Sequence, residues 1–260
     1  MPILEYDKQA SQRLLAVYTT PDVVAQRNEF LMELDIRPGE RVLDVGAGPG
    51  FLVRSMAEKV GELGSVCGVD VSEVLLNEAR MQTKDLNGIE LVHGDAADLP
   101  YPDEEFDTLV CTQVLEYVPE VDAALSEFHR VVKKGGRIAI LDTDWDSIVW
   151  HSSNQARMNR ILNAWEKHAA DPFLPRTLIK RMEQLGFQVE ASKIIPLYNP
   201  RYDPDTFSDK MIDLIIPYVV EQQNIAREEV ESWANNLRNS GNNGAYFFSL
   251  NRYFFLATRT

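Results

Sequence analysis

From Arg41 to Leu141, short apolar β-type runs alternate regularly with amphipathic helical stretches. This predicts an α/β fold, a mostly parallel sheet with helices on both faces. Two further features narrow the class. Glycines cluster between the first strand and the helix after it, and an aromatic-rich β-run closes the chain. The closing run predicts an antiparallel C-terminal edge strand on the otherwise parallel sheet. At 260 residues the chain suits one α/β domain with insertions.

The elements follow in order. The first 35 or so residues read as two helices; in the second, Val23, Val24, Arg27, Phe30, Leu31 and Leu34 recur at helical spacing after Pro21, a good first-turn residue. Arg37-Pro38-Gly39 breaks that helix. Arg41 to Val45 is a strand, Phe51 to Val60 a helix and Ser65 to Val69 a strand. Ser72 is an N-cap for a helix over Glu73 to Gln82. Ile89 to His93 and Thr108 to Cys111 are strands, and Asp122 to Val132 is a helix stopped by Gly135-Gly136. Arg137 to Leu141 is a buried-type strand. Asn154 to Ala169 and Arg176 to Leu185 read as helices, and Phe187 to Ile195 is β-rich. Asp205 to Asn239 is helical with a break at Pro217, and Ala245 to Ala257 is a final strand or hairpin partner. The sum is a seven-stranded sheet with a helical cap.

Composition excludes several classes. The net charge is −14, which opposes nucleic-acid binding, since phosphates call for a basic patch. Such acidity keeps a protein soluble and is compatible with a cationic small-molecule partner. No apolar run approaches the roughly 20 residues that span a bilayer. Glu5 and Asp7 interrupt the start of the chain, so no signal peptide is read there. Cys67 and Cys111 form no CxxC or Cys/His cluster, which argues against a disulfide framework or zinc site and fits a reducing cytoplasm. No metal is expected, and the chain is read as a monomer or homodimer.

The strongest motif is Val42-Leu43-Asp44-Val45-Gly46-Ala47-Gly48-Pro49-Gly50, a strand, an acid and three glycines before a helix. Glycines there let the backbone approach a ligand, and the helix start offers N–H groups. In a dinucleotide fingerprint starting at Gly46 and Gly48 the third glycine would stand at 51, which is Phe51; the glycine is Gly50 instead. That register favours a nucleoside sulfonium over a pyrophosphate. No Gly-Lys-Ser/Thr P-loop is present, nor a Tyr followed four residues later by Lys as in short-chain dehydrogenases. Asp70 ends the second strand, where an acid accepts from both ribose hydroxyls, although nicotinamide sites share that device. Gly94-Asp95-Ala96 follows the third strand, where a carboxylate accepts from an adenine amine and Ala96 offers an N–H.

With these residues in view, the Rossmann-like chain resembles the class I S-adenosylmethionine (SAM)-dependent methyltransferases, and within them the small-molecule group related to ubiquinone/menaquinone-biosynthesis methyltransferases. Val42 to Gly50, Gly68-Val69-Asp70-Val71-Ser72 and Gly94-Asp95-Ala96 match that group's first three motifs. Phe106 to Val110, Val114 to Val118 and Glu127 to Gly136 match the fourth strand, its loop and the following helix. The match covers about residues 37 to 145 and departs at Gln113 and Tyr117, where the group often has a small polar residue and His. The resemblance implies that Asp44, Gly46 and Gly48 border the methionine, that Asp70 holds the ribose and that Asp95 and Ala96 hold the adenine, with Ala47, Gly50, Val71 and Gly94 also in the cofactor set. It places Thr112, Gln113 and Tyr117 near the sulfonium. Tyr18 and Arg27, on the helices before the first strand, join the cofactor set, with Arg27 suited to the methionyl carboxylate.

Methyl transfer is an in-line displacement that mainly needs positioning and desolvation, with a base only for a protonated acceptor. Candidates for the acceptor side are Asp144, in the run Asp142-Thr143-Asp144-Trp145-Asp146, together with His151 and Tyr198; loop and cap roles are the alternative. The expected function is transfer from SAM to a small-molecule acceptor, nitrogen or oxygen favoured, with C- or S-methylation or SAM binding without catalysis as alternatives. An Asn/Asp-Pro-Pro-aromatic run, expected in DNA or RNA amine methyltransferases, is replaced by Thr112-Gln113-Val114-Leu115. Three regions are expected: N-terminal helices over 1–36 as a lid, a SAM-binding core over 37–145, and 146–260 completing the sheet and facing the acceptor.

Overall fold

The computed structural model describes residues 8–260. The reading of Met1–Asp7 lies outside them. Helices α1 (Lys8–Tyr18) and α2 (Pro21–Leu34) precede β1 (Arg41–Val45), α3 (Phe51–Val60), β2 (Ser65–Asp70), α4 (Glu73–Thr83) and β3 (Ile89–His93). Then come β4 (Phe106–Thr112), α5 (Val121–Val131), β5 (Val132–Thr143), β6 (Val149–Trp150), α6 (Gln155–Trp165) and α7 (Pro175–Gln184). The chain ends with β7 (Phe187–Asn199), α8 (Phe207–Glu221), α9 (Arg227–Asn242) and β8 (Phe248–Arg259).

The sheet runs β3-β2-β1-β4-β5-β8-β6, with β7 also paired to β8. The first five strands are parallel, so their carboxyl ends share one rim. β8 is antiparallel, as expected, but it is not the edge: it lies between β5 and β7. The edge falls to β7, whose Pro196 has no N–H to donate and is tolerated on an edge strand. The two-residue β6 was not anticipated and makes eight strands among the described residues.

Among the described residues, three apolar clusters hold the layers. One packs α5 and α7 under the sheet, around Phe106, Leu125 and Phe128. A second packs α2 and α3 on the other face, around Phe30, Leu34 and Met56. The third unites α6, α8 and α9 with β8 in the cap, around Trp150, Met158, Ile215 and Trp233.

Two local expectations are corrected. Gly135-Gly136 does not stop a helix; α5 ends at Val131 and the glycines lie inside β5, near a register shift against β4. Pro217 does not break the cap helix: α8 continues through it, and the break comes at 222–226, where Asn224 takes φ 54°. Ser72 caps α4 as expected, its Oγ accepting from Leu75 N at 3.3 Å.

Candidate cofactor and acceptor site

The loop after β1 is pinned to β2. Gly46 N and Ala47 N both donate to Val69 O, at 2.7 and 2.9 Å. Gly46 has φ +77°, and a Cβ there would stand 2.0 Å from Val114 Cγ2, so the two strand-end loops touch because this residue has no side chain. Gly48, at φ +50°, donates its N–H to Asp70 Oδ2 at 2.8 Å, and a Cβ there would meet only Gly46 O, at 4.0 Å.

Asp70 ties three segments together: its other oxygen accepts from Ser72 N at 2.8 Å, and its carbonyl accepts from Gly94 N. Each carboxylate oxygen keeps a lone pair for a ribose hydroxyl. Val71 is exposed beside it. Asp95 turns its loop by accepting from Ala97 N at 2.9 Å, with Ala96 buried next to it.

A cleft opens between this rim and the N-terminal helices. Tyr18, Gln26, Arg27, Asp44, Gly46, Gly48, Thr112, Gln113 and Arg252 line it. Asp44 is the informative member. It is buried, neither carboxylate oxygen has a partner, and burial with Asp70 nearby pushes its pKa up to about 8. An unpaired buried carboxylate is costly unless a ligand supplies the cation. Arg27 donates to Tyr18 O at 2.5 Å and lies 4.9 Å over the Phe51 ring. An α-ammonium against Asp44 and an α-carboxylate against Arg27 fit an amino acid, and Asp70 and Asp95 fit a nucleoside. The residues present therefore fit SAM.

Gln113 lines the cleft and also has a structural task. Its N–H and Nε2 both donate to Leu141 O, and its Oε1 accepts from Thr143 Oγ1 at 2.6 Å. The side chain is spent on joining β4 to β5, which holds its backbone at φ 57°.

Sequence reasoning missed a buried polar group beyond the cleft. Glu116 accepts from Thr143 N and Trp145 Nε1, both at 3.2 Å, while Oε1 is unpartnered and burial raises its pKa to about 7. Asp142 accepts from Val114 N at 3.1 Å, and burial beside Glu116 raises it strongly. Next to them, His168 is buried, stacks 3.8 Å from Trp165, and meets the Tyr117 hydroxyl at 3.3 Å. Desolvation lowers its pKa to about 4, which makes it a neutral imidazole.

The three acceptor-side candidates do not converge. Asp144 points away from the cleft: both oxygens pair with Arg176, at 2.7 and 3.0 Å, and Oδ1 also caps the short 3₁₀ turn at Trp145–Ser147. Asp146 joins the same arginine at 2.8 Å, so the acidic run is divided between the sheet and α7. His151 is exposed and bound through its backbone to Phe247, and Tyr198 is 54% exposed with its ring against Phe247. Neither lines the cleft, because β6 and the far end of β7 project beyond the rim.

The sheet is doubly wound, and the cleft at its strand ends carries groups that fit a nucleoside and an amino acid. A methyltransferase domain model matches residues 43–140. The demethylmenaquinone methyltransferase of Listeria welshimeri is 39% identical over 176 residues, 66% of this chain and 71% of that protein. That of Staphylococcus saprophyticus is 41% identical over 117 residues, 45% of this chain and 50% of the relative. Against that protein and others like it, the chain spans about half the relative's length. The chain belongs to the class I SAM-dependent methyltransferase family, in the branch related to menaquinone biosynthesis. A methyltransferase fold solved from Bacillus halodurans superposes with TM-score 0.65 at 19% identity, covering 91% of this chain and all of that one.

Proposed function

We propose that this chain transfers the methyl group of SAM to a carbon of a hydroxylated aromatic small molecule. The observation that carries the cofactor half is the orphaned Asp44 carboxylate at the mouth of the glycine loop. SAM, when bound, supplies a methyl on a positively charged sulfur that any aligned nucleophile can displace. The chain's own part is to hold the amino acid through Asp44 and Arg27 and the nucleoside through Asp70 and Asp95.

The sequence by itself favoured nitrogen or oxygen as the methylated atom. The relatives named for demethylmenaquinone support carbon instead. Aromatic side chains around the cleft support a flat acceptor. Tyr18 lines it, and beyond the lining Tyr117, Trp165, His168 and Tyr218 form one aromatic group in which Trp165 stacks on His168 and the other rings meet edge to face. A ring carbon becomes nucleophilic when a ring hydroxyl ionises, so the protein's remaining task is to orient the ring and stabilise its oxygen.

The test is incubation with labelled SAM and demethylated naphthoquinols, with the product's methyl position read by NMR. Carbon methylation is expected. Methylation of amine or phenol probes alone would return the reading to nitrogen or oxygen. SAM binding with no transfer to any probe would favour a binding protein without catalysis.

A further inference from the structure

The cleft contains a second guanidinium that the cofactor reading leaves unused. Arg252 sits on β8, opposite Thr143 of β5 and Ile195 of β7. In sheet order β8 lies three strands from β1, about 14 Å away at the usual strand spacing. Asp44 serves the amino-acid end of the cofactor at β1. Arg252 therefore belongs to the opposite wall, beside Gln113 and Leu141.

Its surroundings are built to hold it. The residue is 6% exposed. Nη1 donates to Gln26 Oε1 at 2.6 Å, and Gln26 Nε2 donates to Ile195 O at 2.8 Å, so the amide is fixed and the guanidinium with it. The guanidinium lies 5.2 Å over the Phe207 ring. Nε is buried with no hydrogen-bond partner. Glu116 acts on it through space, but among the described residues no carboxylate forms an ion pair with it. A buried guanidinium with an unfilled donor destabilises the free protein, and such a group points to a ligand atom that accepts from it.

We propose that Arg252, oriented by Gln26, seats an oxyanion of the methyl acceptor, a ring carboxylate or an ionised ring hydroxyl, and so selects anionic acceptors. The inference rests on the methyl-transfer reading above. A planar fork suits an oxygen at a ring edge, and a lysine in its place would supply charge without that geometry.

Calorimetry on the full chain saturated with S-adenosylhomocysteine tests it, using 2-naphthoate, 2-naphthol and 2-methoxynaphthalene as probes. The first or second should bind at least about tenfold tighter than the methoxy compound, as one charge-assisted hydrogen bond warrants. Tighter naphthoate assigns the carboxylate; tighter naphthol, with proton release, assigns the ionised hydroxyl. Arg252→Gln and Arg252→Met should erase the preference, Arg252→Lys should restore part of it, and homocysteine-nucleoside affinity should stay within about threefold. That affinity also reports whether each variant folds. Equal binding of the three probes to the unaltered chain, or a preference that survives Arg252→Gln, overturns the proposal. So does a tenfold loss of S-adenosylhomocysteine in Arg252→Gln, which would give Arg252 to the methionyl carboxylate. Failure of the unaltered chain to bind S-adenosylhomocysteine would sink the underlying reading instead, and is seen separately.

Discussion

At Asp44 the cost of a ready-made site is measurable. Its pKa rises on folding from 3.8 to about 8, so the folded state binds a proton that the unfolded state releases. Its stabilising contribution is complete below pH 3.8 and is lost as pH climbs toward 8, at about 1.4 kcal/mol per unit at most. Asp44→Asn should remove that slope and leave the free protein at least as stable at pH 8, by thermal melts. It should also weaken S-adenosylhomocysteine by at least about tenfold. Binding to the unaltered chain at pH 7 should release a proton, seen as an enthalpy that varies with buffer; no release would mean the ammonium is held elsewhere. Burial raises Asp70 as well, but backbone N–H groups from Ser72 and Gly48 support its charge and oppose that rise. Asp70→Ala should lower cofactor affinity at least about tenfold and also loosen both loops, about 1.5–3 kcal/mol for each charge-assisted bond lost. Unchanged affinity in the folded variant would show the ribose is held by other groups.

Among the elements, the loop after β1 and the loop after β4 form one unit, since Gly46 leaves only enough room for Val114. Gly46→Ala should cost about 3 kcal/mol in urea unfolding, combining a strained φ with a clash. Adding Val114→Ala should return the clash portion and leave the backbone portion. If the single variant is as stable as the original chain, the close contact is not real. The turn after β5 is a structural joint, where Asp144 pairs with Arg176 of α7 and caps the turn. Asp144→Asn keeps the cap but loses the ion pair to Arg176, roughly 1 kcal/mol, and should lower the melting temperature by about 2–4 °C without altering methyl transfer. Slowed transfer with an unchanged melting temperature would restore Asp144 to the acceptor site. The carboxylate is conspicuous in the sequence and Arg176 is not, because the pairing joins residues 32 apart.

At the scale of the whole molecule, the cleft is roofed by parts distant in sequence. α1 and α2 bring Tyr18, Gln26 and Arg27, and α1 lies against α8 of the cap. We expect this roof to act as a lid. Hydrogen exchange should slow in α1, α2 and α8 on adding S-adenosylhomocysteine, and equal protection with and without it would argue for a rigid roof. The net charge of −14 says little about the acceptor, because the cleft itself holds the half-buried guanidinium of Arg27 and the buried one of Arg252. Local burial outweighs a screened surface charge beyond the roughly 8–10 Å Debye length of ordinary salt.

The amino-acid order by itself determined the alternating strands and helices, the glycine register, and the acids at the ends of β1, β2 and β3. These are local matters: periodicity, turn chemistry and a residue's place at a strand end are all written within a few neighbouring positions. Arg252 left a faint trace, a basic residue inside the apolar run Ala245 to Ala257. Tertiary structure alone decided that β8 enters the sheet interior, which carries Arg252 to Gln26 across 226 residues of chain. It likewise gathered Glu116, Tyr117 and His168 and left His151 and Tyr198 in solvent. Which side chains face one another across a cleft depends on long-range strand register and helix docking. Those are set by the packing of the whole core, and no short window of sequence contains it.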